Sequence, residues 1–412
     1  MKHSDIRIPE LLLIVFTMLL VGPVFGDDIR RVHNGAVPRD GIQTVALTEL
    51  WRVGNDGDDI ILGRVPRVDT DRQGNIYILD AQLCRVHVYS PDGDLLRSLF
   101  REGDGPGEVR DPRDMLLLPD GGVGLVLVDM GIVKFVDARG DPAGSLRLGG
   151  TEGGNYALVS GAGIEGGLVL AGRRSSPGET RSIRLRRLFL QSCDLNGDEI
   201  AVYAEAHTVF DFNDMSFVER DELPSFQWAY DVGADGRIYV AGDRSRYEVT
   251  VFNPDGTPEL VFDREYPSFT RTDEDREQFA HVIDTSMEGM PFETRVELED
   301  TYPPISILQR GLQVVSDGSV WVLSGRGMKP EPPGIMAIFD VFDRAGAFVR
   351  QVALAAPHDA SQAGIVLVDG NRVIVIEGYL ESVASWFGNG ATFSGGEWKN
   401  PEVVVYQMGV PE

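Results

Sequence analysis

The chain has 412 residues, a formal net charge of -26 and a sequence pI near 4.6. That excess of carboxylates repels DNA, RNA and anionic lipid, so nucleic-acid partners are excluded, while solubility and cation binding are favoured. With Cys84 and Cys193 as its only cysteines, the chain carries neither a disulfide framework nor a cysteine metal motif.

Residues 1–26 read as a secretory leader. Lys2, His3 and Arg7 form a weakly basic start, Leu11 to Val21 an apolar core, and Gly22-Pro23 a break. Val24 and Gly26 then occupy the small-residue positions of a cleavage site before Asp27. The alternative is an uncleaved anchor, for which the apolar run is short. No cysteine near the site permits acylation. The expected location is periplasmic or extracellular, with no stable membrane span after cleavage. Cys84 and Cys193 then stand where oxidation is possible, but they fall in non-neighbouring units, which favours two separate small hydrophobes over a bridge.

Residues 27–43 are polar and are expected to be flexible. Residues 44–52 alternate (Val45, Leu47, Leu50) like a strand without a partner of its own. The segment 66–100 then sets a pattern that the rest of the chain repeats. Its strands Asn75 to Asp80 and Arg85 to Ser90 are preceded by a tight turn at Gln73-Gly74 and followed by another at Pro91-Asp92-Gly93. Copies begin at Pro119-Asp120-Gly121, Ala234-Asp235-Gly236 and Ser316-Asp317-Gly318, with weaker ones at Glu165-Gly166-Gly167 and Asp369-Gly370. Such a repeat cannot bury both faces alone, so the expected fold is all-β. It is a six-bladed β-propeller of four-stranded antiparallel blades over 44–412, closed by the N-terminal strand 44–52 acting as the outer strand of the last blade. The Gly-rich run Glu102 to Glu108 lacks the Lys and Ser/Thr of a phosphate loop and reads as a connector. The third unit, 156–205, is irregular. Within 264–302 the rhythm changes: Thr272 is a good N-cap, Asp273, Glu274 and Asp275 suit a first turn, and Phe279, Val282, Ile283 and Met287 recur at helical spacing. These signals predict a helical insertion from 273 to about 287.

Strand order sorts the loops by face. The Asp-Gly turns fall on one side, and the insertions 173–181, 206–224, 264–302, 326–334 and 379–401 on the other. The long-loop face is therefore the candidate binding face. Basic groups gather there: Arg173, Arg244, Arg246, Arg326 and Lys329, beside Trp386 and Trp398 in the last insertion. Together they suit an acidic group and a stacking partner, although pairing of each Arg with one of the many Asp or Glu residues serves equally. Asp80, Asp129 and Asp243 each end a second strand. Calcium ligation is one reading and loop capping the other, and repetition favours capping. Asp243, His207 and His358 remain weak metal candidates, since the histidines lack ligand spacing and no nucleophile motif appears.

The segments GNIYILD…RVHVYSPDG, GDGPGEVRDPRD and ADGRIYVAGDRSRYEVTVFNPDG resemble the NHL-type repeat, and the chain over about 44–409 resembles exported bacterial six-bladed propeller proteins. The resemblance implies the fold and says little of function, because propellers host unrelated activities. Calcium-dependent lactonases and a zinc-dependent lyase share the shape, but their ligand sets find no residue-by-residue match here. Two functions are carried forward. One is a non-catalytic binding propeller, monomeric, whose long-loop face holds a small molecule, glycan or protein segment. The other is a divalent-metal-dependent hydrolase or lyase, calcium being the candidate metal, with its site at the channel mouth.

Overall fold

The computed structural model describes residues 29–410 apart from 55–56, 58–59, 128–130, 150–154, 215, 287–294, 309, 328, 330, 357–361, 369–371 and 385–399. Four sheets of four or five strands stand separately. The first holds Arg67–Thr70, Ile76–Asp80, Arg85–Tyr89 and Leu95–Leu99 in chain order. The second holds Pro112–Leu117, Val123–Leu127, Ile132–Val136 and Pro142–Arg147, and the third the longer strands Asn155–Ile164, Gly167–Pro177, Ile183–Asp194 and Glu199–Asp211. In the fourth, Tyr230–Val232, Ile238–Val240, Glu248–Phe252 and Pro258–Arg264 gain a fifth strand, Arg30–Asn34, paired parallel to the last. Residues 30–34 are thus a strand rather than part of a flexible leader-proximal segment.

The remaining repeats share one eight-stranded sheet, and this overturns the expectation of six separate blades. Its order is Leu312–Val314, Val320–Leu323, Ile335–Phe342, Phe348–Ala355, Ile42–Val53, Glu402–Met408, Arg372–Glu377, Gly364–Val368. The cause is the 12-residue strand Ile42–Val53. Its first half pairs parallel to Gln351–Ala355, and its second half pairs antiparallel to Val403–Met408. One strand thereby covers two edges that would otherwise expose unpaired backbone. The pairing with Glu402–Met408 is the closure read from the sequence; the pairing with Phe348–Ala355 is not. The architecture is propeller-like, with four separate blades and one fused sheet, and the six-bladed NHL description does not hold.

The tight turns form for a local reason, seen at Gln73-Gly74. Asp71 Oδ1 accepts from the backbone N–H groups of Gln73 and Asn75, both at 2.9 Å, and Gly74 takes a φ of +80°. That conformation strains any side chain, which is why the turn carries Gly. Apolar clusters fill the space between neighbouring sheets: Leu79, Met115 and Leu125 between the first and second, Leu116, Leu158 and Phe189 between the second and third, Val169, Tyr203 and Phe252 between the third and fourth. Phe339, Leu354, Val373 and Val404 join the two halves of the fused sheet. Cys84 and Cys193 are both buried and free, in separate clusters. Burial pushes the Cys193 thiol up to about 12.

The sequence-predicted helix runs Asp273–Ser286. Thr272 caps it reciprocally: Asp275 N donates to Thr272 Oγ1 at 3.1 Å and Thr272 N donates to Asp275 Oδ2 at 2.7 Å. Among the described residues no helix is long and apolar enough to cross a membrane.

Candidate functional site

The first strands of successive repeats lie side by side around a channel. Arg67–Thr70 neighbours Pro112–Leu117, which neighbours Asn155–Ile164, then Tyr230–Val232, then Leu312–Val314; Gly364–Val368 returns beside Arg67–Thr70. Alternation sends every second side chain of these strands toward the channel, where neighbouring backbones offer unpaired groups. Polar side chains fill that role in a continuous belt. Arg67 Nε stands 3.8 Å from Asp114 Oδ1, and Asp114 Oδ2 accepts from Gly161 N at 2.9 Å. Ser160 Oγ donates to Gln227 O at 3.3 Å and stands 3.0 Å from the Tyr230 hydroxyl. Asp231 Oδ2 accepts from Val314 N at 2.8 Å. Gln313 donates to Ile365 O and accepts from Leu367 N, both at 2.9 Å. Beside this belt, Ser382 Oγ accepts from Val65 N at 3.3 Å.

This belt surrounds a cavity of about 570 Å³ that opens between the short turns. Arg67, Asp69, Asp231, Arg310 and Gln313 line it, with Arg72, Glu165, Asp235 and Ser316 at its rim. A narrower cavity of about 60 Å³ continues inward past Asp114, Ser160, Tyr230 and Tyr379, and Arg67, Asp231 and Arg310 line both. Burial pushes the carboxyls of Asp114 and Asp231 up, against the pull of Arg67 on the first and Arg310 on the second. Burial opposes ionisation of Asp69 as well, but Arg67 and Arg310 outweigh it and hold that carboxyl below the usual range. Burial also pushes Tyr379 up to about 12.

The opposite end is covered. Val282 belongs to the apolar cluster that includes Val65, Ile374 and Leu380, whereas its neighbour Ile283 belongs to the one that includes Tyr239, Ile305 and Phe342; Phe279 packs against both clusters. The helix Asp273–Ser286 therefore lies across the long-loop end of the channel. It is anchored by a buried ionic triad. Arg271 donates to both oxygens of Glu219, at 2.5 and 2.6 Å, and Arg244 donates to the same carboxylate and to Leu223 O.

The residues singled out in the sequence are dispersed. Arg244 is buried in that triad. Arg173 is 4.0 Å from Glu222, and the exposed Arg246 is 3.3 Å from Asp243. Arg326 pairs with Glu331, and both Arg326 and Lys329 sit 5.5 Å from the Phe269 ring. Lys329 Nζ also donates to Thr270 O at 3.0 Å. Trp386, Trp398, His358 and Asp129 lie outside the described residues. His207 is exposed and 3.5 Å from Glu205. Asp243 accepts from Ser245 N at 2.8 Å, as a loop cap does, and Asp80 accepts from the N–H groups of Gly63, Arg64, Gln82 and Leu83. Among the described residues no three His, Cys, Asp or Glu side chains gather in a group that suits a metal ion. The channel residues were missed because Arg67–Thr70 and Tyr230–Val232 are too short to show a pattern. The signal was present as a charged or amide side chain in most first strands: Arg67, Asp69, Asp114, Asp231, Gln313.

No protein family and no curated protein matches the chain. Solved structures similar in outline include a putative exported protein of Bacteroides fragilis, at 11% identity and a TM-score of 0.49, covering 92% of this chain and 99% of that one. A member of the duf4221 family from Bacteroides vulgatus gives 9% identity and a TM-score of 0.47, covering 89% and 98%. Virginiamycin B lyase from Staphylococcus aureus gives 11% and 0.42, covering 87% and 98%. Likeness at this level carries no residue roles to this chain.

Proposed function

We propose that this is an exported propeller-like protein that takes a small polar molecule into the channel mouth on its short-turn face. The observation that carries the reading is the cavity of about 570 Å³, which falls in the size range of small-molecule sites and is lined by charged side chains from several different repeats. The cavity lies on the short-turn face, away from the long-loop positions of Arg173, Arg244, Arg326, Asp243 and His207. Asp231 and Asp114 support an enzymatic reading: both line the cavities, and burial pushes both carboxyls up, the direction in which a proton-exchanging carboxyl is tuned. Non-catalytic binding in the same channel is the second reading. It is favoured by the belt, because Asp114, Asp231 and Gln313 already hold backbone groups of neighbouring strands. Export rests on the leader 1–26, which lies outside the described residues. A mature N-terminus at Asp27 in the extracytoplasmic fraction is the expected mass-spectrometric result.

The test uses the mature chain and a library of small polar molecules, read by ligand-detected NMR and by product formation. Leu117 lines the mouth, and Leu117→Trp fills part of it. Binding that disappears in this variant supports the channel. Turnover that Asp231→Asn abolishes while binding persists supports the enzyme; binding without turnover supports the second reading. Binding that Leu117→Trp leaves unchanged removes the channel from consideration.

A further inference from the structure

The two channel arginines differ in how they are held. Arg67 donates to Asp69 Oδ2 at 2.9 Å and stands near Asp114, so its charge is matched within the protein. Arg310 lines both cavities, yet among the described residues its guanidinium makes one hydrogen bond, to Val68 O at 3.2 Å, and no ion pair. A guanidinium carries five N–H donors, so most of those on Arg310 remain available to whatever enters the channel. The carboxylates around it are already engaged: Asp69 by Arg67 and Thr70 N, Asp114 by Gly161 N, Asp231 by Val232 N and Val314 N. The backbone is unusual as well. Arg310 has a φ of +53°, a left-handed conformation rare for a residue with a long side chain and typical of positions where the surroundings dictate placement.

We infer that Arg310 is the recognition group of the channel site, and that the molecule bound there carries a carboxylate or phosphate which its guanidinium grips through paired N–H donors. This rests on the channel-mouth reading above. A planar fork with free donors at the floor of a partly enclosed cavity matches both anions in geometry. The opposing field is moderated, since of the three carboxylates that Arg310 and Arg67 face, Asp114 and Asp231 are pushed up by burial and only Asp69 is held below its usual range. The portion of the ligand toward solvent meets the rim residues Arg72, Glu165 and Ser316, which suit a polar body.

The experiment titrates inorganic phosphate and succinate separately into the mature chain by calorimetry, with xylitol as an uncharged probe. It compares wild type with Arg310→Met, Arg310→Lys, Leu117→Trp and the exposed-surface control Arg246→Met. One or both anions are expected to bind wild type and Arg246→Met equally. Arg310→Met should lose about tenfold or more in affinity, and Arg310→Lys, which keeps the charge but not the fork, should fall between. Phosphate alone binding assigns a phosphorylated ligand, and succinate alone a carboxylated one. Melting curves show whether Arg310→Met remains folded, and Arg310→Lys gives the comparison if it does not. Anion affinity unchanged in Arg310→Met, or no anion binding to wild type, overturns the inference. Xylitol binding that Leu117→Trp abolishes and Arg310→Met spares leaves the channel site standing and removes the anionic class. Anion binding indifferent to both Arg310→Met and Leu117→Trp removes the channel site itself.

Discussion

At the long-loop end of the channel, the helix Asp273–Ser286 lies across the opening and seats Phe279, Val282 and Ile283 on the sheets beneath. At the short-turn end the chain reverses within a few residues at Asp71, Asp120, Asp235 and Asp317, and a cavity of about 570 Å³ stays open between the turns. The contrast shows that loop length is a poor guide to accessibility. Insertions long enough to reach across a channel are also long enough to carry charges into buried pairs, as Glu219 of 206–224 and Arg271 of 264–302 do with Arg244. A tight turn with an Asp capping its own backbone has no side chain to spare for covering the mouth.

The sharpest way to break the comparison is to release the covered end. Glu219→Ala removes the anion between Arg244 and Arg271 and leaves two buried guanidinium groups uncompensated. The expected loss is about 3–5 kcal/mol in chemical denaturation. A loss under about 1 kcal/mol would mean that the triad does not hold the helix in place. Next comes the helix itself. Ile283 is 1% exposed, so Ile283→Ala should cost about 2–4 kcal/mol and make the segment 273–286 the first site of limited proteolysis. Cleavage starting elsewhere would show that the helix is not the least stable part of that face. A smaller effect is expected at Lys329, which donates to Thr270 O and faces the Phe269 ring. Lys329→Ala should lower stability by about 0.5–1 kcal/mol, because that contact is partly solvated.

Much of the scaffold was legible because its signals are local. The Asp-Gly turns, the N-cap at Thr272, and the strand-like alternation near Val45 each depend on a few adjacent residues, and each appears in the structure. The capping role of Asp80 was legible for the same reason. What the sequence hid is non-local. Nothing in residues 42–46 indicates that they pair with Gln351–Ala355 while residues 47–53 pair with Val403–Met408, so the fused sheet was unreadable. Arg244 reads as one of several cations on a loop; only the fold brings Glu219 and Arg271 to it. The channel site combines both difficulties, since Arg67, Asp231 and Arg310 come from distant segments and two of those segments are strands of three or four residues.

The smallest expected effect compares the rim of the open end with its floor, and it has a sign that can be worked out. Burial opposes ionisation of Asp235 at the rim, but hydrogen bonds from Arg237 and Arg344 outweigh it and bring its carboxyl down to about 2. A carboxyl whose folded value lies below its unfolded value of 3.8 adds stability above pH 3.8 and loses it as pH falls toward about 2. At the floor, burial raises Asp231 above that same unfolded value. Its contribution is present below pH 3.8 and is lost as pH rises through the higher folded value. Urea denaturation from about pH 2 to pH 7 of wild type, Asp235→Asn and Asp231→Asn therefore gives two difference curves. Stability of wild type relative to Asp235→Asn should rise with pH, and relative to Asp231→Asn it should fall. At the rim the change should stay below the roughly 2 kcal/mol that a shift of that size allows, because solvent screens the pair. Difference curves of the same sign would mean that rim and floor share one environment, and the division between a solvated rim and a desolvated site would fail.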